Sequence, residues 1–152
     1  MEIPSICEEF SKEFSEELKI SFFTSISEAP PWMISRTDIL YSNSVLQYFE
    51  DHSTFSKLVS YLSPKYILLD DFQTSTGEAF YTLQNYHGAR IPYYLSNLVD
   101  ILKTCGDLGY ELLVNYDYAS PIAPTMETQL ESTGDLSYGI GGSLSLLFKK
   151  VS

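Results

Sequence analysis

Between Asp38 and Tyr116 short apolar runs alternate with apolar stripes at helical spacing, and no other feature of the sequence narrows its folding as much. Asp38 to Ser42 (DILYS) reads as a strand that opens into polar Asn43 and Ser44. Phe55, Leu58, Val59 and Leu62 then fall at i, i+3, i+4 and i+7, which predicts a helix from Ser53, a capping residue type, to Leu62, with Pro64 behind it as the stop. Tyr66 to Leu69 (YILL) reads as the next strand and ends on Asp70 and Asp71. A long connection rich in Gln, Thr, Ser, Tyr and Gly runs from there to Pro92. Leu95, Leu98, Val99, Leu102 and Cys105 form a second helical stripe, ended by Gly106 or Gly109, and Tyr110 to Tyr116 (YELLVNY) resumes strand character. Strands and helices in this order predict an open α/β sheet with helices on both faces.

The flanks extend that pattern. Ile6, Phe10, Phe14 and Leu18 recur at helical spacing after Pro4, with Ser5 as a cap, and Lys19 to Ile26 (KISFFTSI) reads as a strand stopped by Ala29-Pro30-Pro31. Ala119 to Gly142 is rich in Pro, Ser, Thr and Gly, and Leu144 to Lys149 (LSLLFK) closes the chain as a last strand, so the expected finish is an antiparallel C-terminal hairpin. Tyr138 to Gly142 (YGIGG) carries the glycines of a nucleotide loop without the order that such a loop needs, since a strand and not a helix follows it. We read it as the connection before the last strand, and the whole of 1–152 as a single domain.

Composition excludes several classes of function. Twenty acids against nine Lys and Arg give a formal charge of −11, and such a polyanion is repelled by phosphate backbones and anionic lipid surfaces, so neither nucleic acid nor membrane is an expected partner. There is no run of eighteen apolar residues and no secretory leader, and Cys7 and Cys105 do not have metal-ligand spacing, which together predict a reduced cytoplasmic setting and no metal site. With twelve Tyr and nine Phe, the chain has ample apolar area for one packed core.

The stretch Asp38 to Asp51 (DILYSNSVLQYFED) resembles the fourth-strand region of class I S-adenosylmethionine-dependent methyltransferases, where a strand, a polar turn and an apolar "VLHY"-like turn lead into a helix. Through YILLDDF and YELLVNYDY the chain is similar to a bacterial group of inferred methyltransferases linked to surface-polysaccharide genes, over about residues 1–118. The resemblance implies a Rossmann-like methyltransferase fold with a mostly parallel sheet, S-adenosyl-L-methionine as cofactor, and a small-molecule or saccharide substrate. Its N-terminal departure is that the first strand, the glycine-rich turn and the first helix would precede Met1. The expectation is therefore an incomplete domain whose bared sheet edges are rearranged or covered in a homo-oligomer.

Within that resemblance Glu2 takes the place of the acid that grips the cofactor's ribose hydroxyls, and the alternative is a solvated terminal residue. Asn43 and Ser44 fall where the fourth strand contacts cofactor, or they serve ordinary turn chemistry. Asp71 is the candidate catalytic base at the end of the fifth strand. Side chains alternate along a strand, so only one of Asp70 and Asp71 is expected to face a crevice, which argues against a paired-carboxylate metal site. His52 reads as solvated at a helix start, His87 as a loop residue, and Tyr81, Tyr86, Tyr93 and Tyr94 as either a substrate lining or lid packing. The rival to methyl transfer is a non-catalytic interaction or scaffold protein built on the same strands.

Overall fold

In the computed structural model the chain forms two compact units, Met1–Arg36 and Thr37–Ser152. The structure describes residues 21, 23, 25–49, 51–86, 88–118 and 140–151. The N-terminal helix expected over Ile6 to Leu18, most of the strand expected over Lys19 to Ile26, and Glu2, Cys7 and His87 lie outside them. The first unit contains a 3-10 turn, Ile26–Glu28, capped by the Ser25 hydroxyl, and the short helix α1, Pro31–Ile34, which starts on a proline whose φ suits a first helical turn.

The second unit follows the order β1 Ile39–Asn43, a 3-10 turn Leu46–Tyr48, α2 Ser53–Leu62, β2 Tyr66–Ser75, β3 Phe80–Tyr86, β4 Ala89–Asn97, α3 Leu98–Asp107, β5 Tyr110–Asp117 and β6 Ile140–Lys150. The six strands form one sheet in the order β3-β4-β2-β6-β5, with β1 also paired to β2. β2 is the hub. β1 lies parallel to its first half, β4 runs parallel to its last two residues, and β6 lies antiparallel along its other edge. β3 pairs antiparallel with β4, and β5 with β6.

This corrects the expected mostly parallel, Rossmann-like methyltransferase sheet: three of the five strand pairings are antiparallel. One reason is that the presumed long connection after Asp71 is itself sheet. β2 continues to Ser75, and β3 and β4 form a hairpin in which Tyr86 pairs with Ala89 across a two-residue turn. Gly88, at φ +82, takes there the left-handed backbone that such a turn demands. Another is that β6 returns between β2 and β5 and separates them, so that of the expected arrangement the parallel pair β1–β2 and the antiparallel pairing of the last two strands remain.

The two described helices of this unit do not flank both faces either. Phe55 and Val59 of α2 and Ile101 and Cys105 of α3 share one buried cluster with Ile67, Leu69 and Phe72 of β2 and with Leu146 and Phe148 of β6. These sheet residues point to one side, as the register Ile67↔Phe148, Leu69↔Leu146 and Phe72↔Leu144 requires. Both helices therefore cover the same face. α2 ends at Ser63 in left-handed backbone, one residue before Pro64, and Gly109 at φ +83 turns the chain from α3 into β5.

Candidate functional site

Leu69 and Phe72 both face the core although they stand three residues apart, so the strand must carry an extra residue between them. It does: Leu69 pairs with Leu146 and Phe72 with Leu144, leaving Asp70 and Asp71 opposite Ser145 alone. This is a β-bulge, and Asp71 sits in it at φ +49. Asp70 accepts a hydrogen bond from Ser145 Oγ, and Asp71 accepts one from Ser143 Oγ at 2.5 Å. Ser143 and Ser145 are two apart on β6 and share a face, so both carboxylates lie on the face opposite the helices. The expectation from strict alternation, that only one acid faces a crevice, is overturned by the bulge.

β1 brings the other expected site residues to the same place. Asn43 pairs with Asp70 in the parallel ladder, and its amide donates to the Asp70 carboxylate at 3.3 Å, beside the Tyr41 hydroxyl at 3.5 Å. Ser44, just past the strand, donates its backbone N–H to the Asp70 carbonyl at 3.1 Å and its hydroxyl to the Asp71 carboxylate. Ser44 is at φ +51, so two of the three described non-glycine residues with positive φ are hydrogen-bonded to each other here. Such backbone costs about 1–2 kcal/mol per residue and collects where surrounding structure insists on a local geometry. Gln73 completes the ring of donors, reaching Asp71 at 3.2 Å. Asp71 is buried.

Two residues join the site that the sequence reading left out. Gln47, on the 3-10 turn after β1, is 3% exposed, and neither its amide nitrogen nor its carbonyl oxygen has a partner. With Ser44, Asp70 and Asp71 it lines a tight cleft that has no room for a water molecule. Its neighbour Tyr48 donates its hydroxyl to Gln84 at 3.0 Å and meets the ring of Tyr93 edge-on, 5.6 Å between centroids. Tyr93 is fully buried with its hydroxyl unpartnered, and burial together with the Tyr48 hydroxyl and the Asp71 carboxylate pushes that hydroxyl well above the usual tyrosine range. No sequence signal separated Gln47 from the apolar residues around it. A polar residue inside the run VLQYF was nevertheless the one available hint.

The remaining candidates lie to one side. His52 is not a solvated helix start: its Nε2 is 2.8 Å from Ser96 Oγ, its ring meets Tyr94 edge-on, and burial holds its pKa below the usual histidine value against the pull of Asp100 and Asp51. Tyr81 stacks at a tilt on Tyr94, 4.9 Å between centroids. Cys105 is a free, buried thiol whose pKa burial pushes up to about 12. Ile140 to Gly142 form the start of β6. No described helix is long and apolar enough to cross a membrane. No family model matches the chain, and no curated protein matches it.

Proposed function

We propose that this chain is an S-adenosylmethionine-dependent methyltransferase, or the C-terminal part of one, acting on an oxygen or nitrogen nucleophile. The observation that carries the reading is the meeting of Asn43 and Ser44 with Asp70 and Asp71 at the polar end of the parallel pair β1–β2. Ligands of α/β sheets bind outside the carboxyl ends of parallel strands, and the segments that hold these residues are the ones that resemble the family. Methyl transfer is an in-line displacement in which the protein orients two reactants and takes up a proton. Asn43 and Ser44 would face the cofactor and Asp71 the acceptor's proton. Calorimetric titration of the chain with S-adenosylhomocysteine, against an unrelated nucleoside, tests this: the reading expects specific heat with a micromolar midpoint, and a folded chain that gives none contradicts it.

A second reading, a non-catalytic interaction protein, has its own support. The oxygens of Asp70 and Asp71 are already hydrogen-bonded within the fold, and the cleft beside them has no room for a water molecule, whereas small-molecule sites offer roughly 300–1,000 Å³. β5 closes the strand order with every residue after Tyr110 exposed, Leu113, Val114 and Tyr116 among them, which suits pairing with another strand. This reading expects no cofactor heat and a mass above that of one chain.

A further inference from the structure

We propose that the cavity between the start of β2 and the end of β6 is a second binding site, which takes a small organic anion, a phosphate monoester on an apolar body. The inference stands apart from methyl transfer, and its test contains no cofactor.

The cavity has about 280 Å³ of open volume, close to the lower end of small-molecule sites, and is lined by Lys65, Tyr66, Lys149, Lys150 and Val151. Regular backbone fixes these residues. Tyr66 pairs with Lys149 in the β2–β6 ladder, the Lys150 N–H donates to the Lys65 carbonyl at 2.9 Å, and the Val151 N–H donates to the Gly109 carbonyl at 2.8 Å. The place is separate from the Asp70–Asp71 bulge, because Tyr66 and Asp70 stand four residues apart along β2, about 13 Å at the rise of a strand.

Charge selects the ligand. Three of the nine Lys and Arg of the chain line this one cavity, although the chain as a whole carries −11. Asp38 holds Lys65 at 2.6 Å, but both side chains are exposed, and water weakens such a pair. Glu111 stands opposite Lys149 in the β5–β6 ladder, yet among the described residues Lys149 ion-pairs with none. Lys150 donates to the neutral hydroxyl of Ser63. Two ammonium groups are therefore left without a carboxylate among the described residues, and an anion that enters between them is attracted by both. Lysine binds phosphate as a point charge, and a doubly charged phosphate monoester gains more from two such groups than a carboxylate does. Tyr66, Val151 and the aliphatic stems of the lysines give the walls an apolar character, which free phosphate would leave unused. The acidity of the rest of the chain repels a polyanion, so the ligand is one small molecule and not a nucleic acid.

The experiment follows backbone amides of the ¹⁵N-labelled full chain at low salt during titration with phenyl phosphate, and in separate arms with benzylamine and with inorganic phosphate. The expected result is saturable shifts at Lys65, Tyr66, Lys149, Lys150 and Val151 with phenyl phosphate and none there with benzylamine. Inorganic phosphate, which lacks the ring, should bind roughly fivefold more weakly. Lys149→Gln should weaken phenyl phosphate about threefold, and Asp38→Asn, which releases Lys65, should strengthen it about twofold. Lys57→Gln, at an exposed lysine of α2 outside the cavity, should change nothing. Damage to the fold cannot raise affinity, so Asp38→Asn decides if Lys149→Gln fails to fold. Shifts that do not saturate or that gather elsewhere, benzylamine or inorganic phosphate binding as tightly as phenyl phosphate, or equal effects of Lys149→Gln and Lys57→Gln overturn the proposal.

Discussion

Asp71 has three hydrogen-bond partners, from the turn after β1, from β2 and from β6, and a backbone that most residues avoid. Left-handed φ is tolerated by glycine and, through local hydrogen bonding, by Asp and Asn, whereas a β-branched side chain is crowded there. Asp71→Gly and Asp71→Val both delete the carboxylate, so their difference reports the backbone alone. Urea unfolding should find the valine variant less stable than the glycine variant by about 1–2 kcal/mol; equal or reversed stabilities would mean that residue 71 is not left-handed. The bulge itself was not legible in the sequence. Two adjacent aspartates fit an unbroken strand as well as a bulged one, and only the demand that Leu69 and Phe72 both reach the core reveals the extra residue. Asn43 and Ser44 were legible, because a polar pair directly after an apolar run marks a strand end.

Elements with one clean period were readable, and those whose partners are distant were not. α2 follows its Phe55, Val59 and Leu62 stripe from Ser53 to Leu62, and β5 follows its aromatic and aliphatic run. The β3–β4 hairpin was missed because its residues are polar and aromatic in mixture and Pro92 argues against a strand. Pro92 pairs with Leu83 in a part of β4 that has no described partner on its other side, where a proline is tolerated. The start of α2 is tied to this hairpin through His52 and Ser96, and the tie is pH-dependent. Burial depresses the folded pKa of His52 against its unfolded value, so the unfolded chain takes up the proton first. The contribution is complete above the unfolded pKa of roughly 6.5 and is lost as pH falls from there through the folded pKa. Stability measured by urea from pH 8 to pH 5 should therefore fall more steeply for the wild type than for His52→Gln; parallel curves would show that this ring does not set the slope.

At the largest scale, among the described residues of the second unit the sheet carries α2 and α3 on one face and a polar cluster on the other, and β2 connects the two. The fold class was misjudged because pairing direction is a non-local property: nothing within β6 states that it will insert between β2 and β5. The cavity of about 280 Å³, lined by Lys65, Tyr66, Lys149, Lys150 and Val151, lies at the start of β2 and competes with the tightly packed polar cluster as a place for a ligand. The central claim, that the cluster at the ends of β1 and β2 is the binding site, is tested most directly by following backbone amides of the ¹⁵N-labelled chain during titration with S-adenosylhomocysteine. The account predicts shifts centred on Asn43, Ser44, Gln47, Asp70 and Asp71. No shifts, or shifts gathered around Lys65 and Lys149, would contradict it.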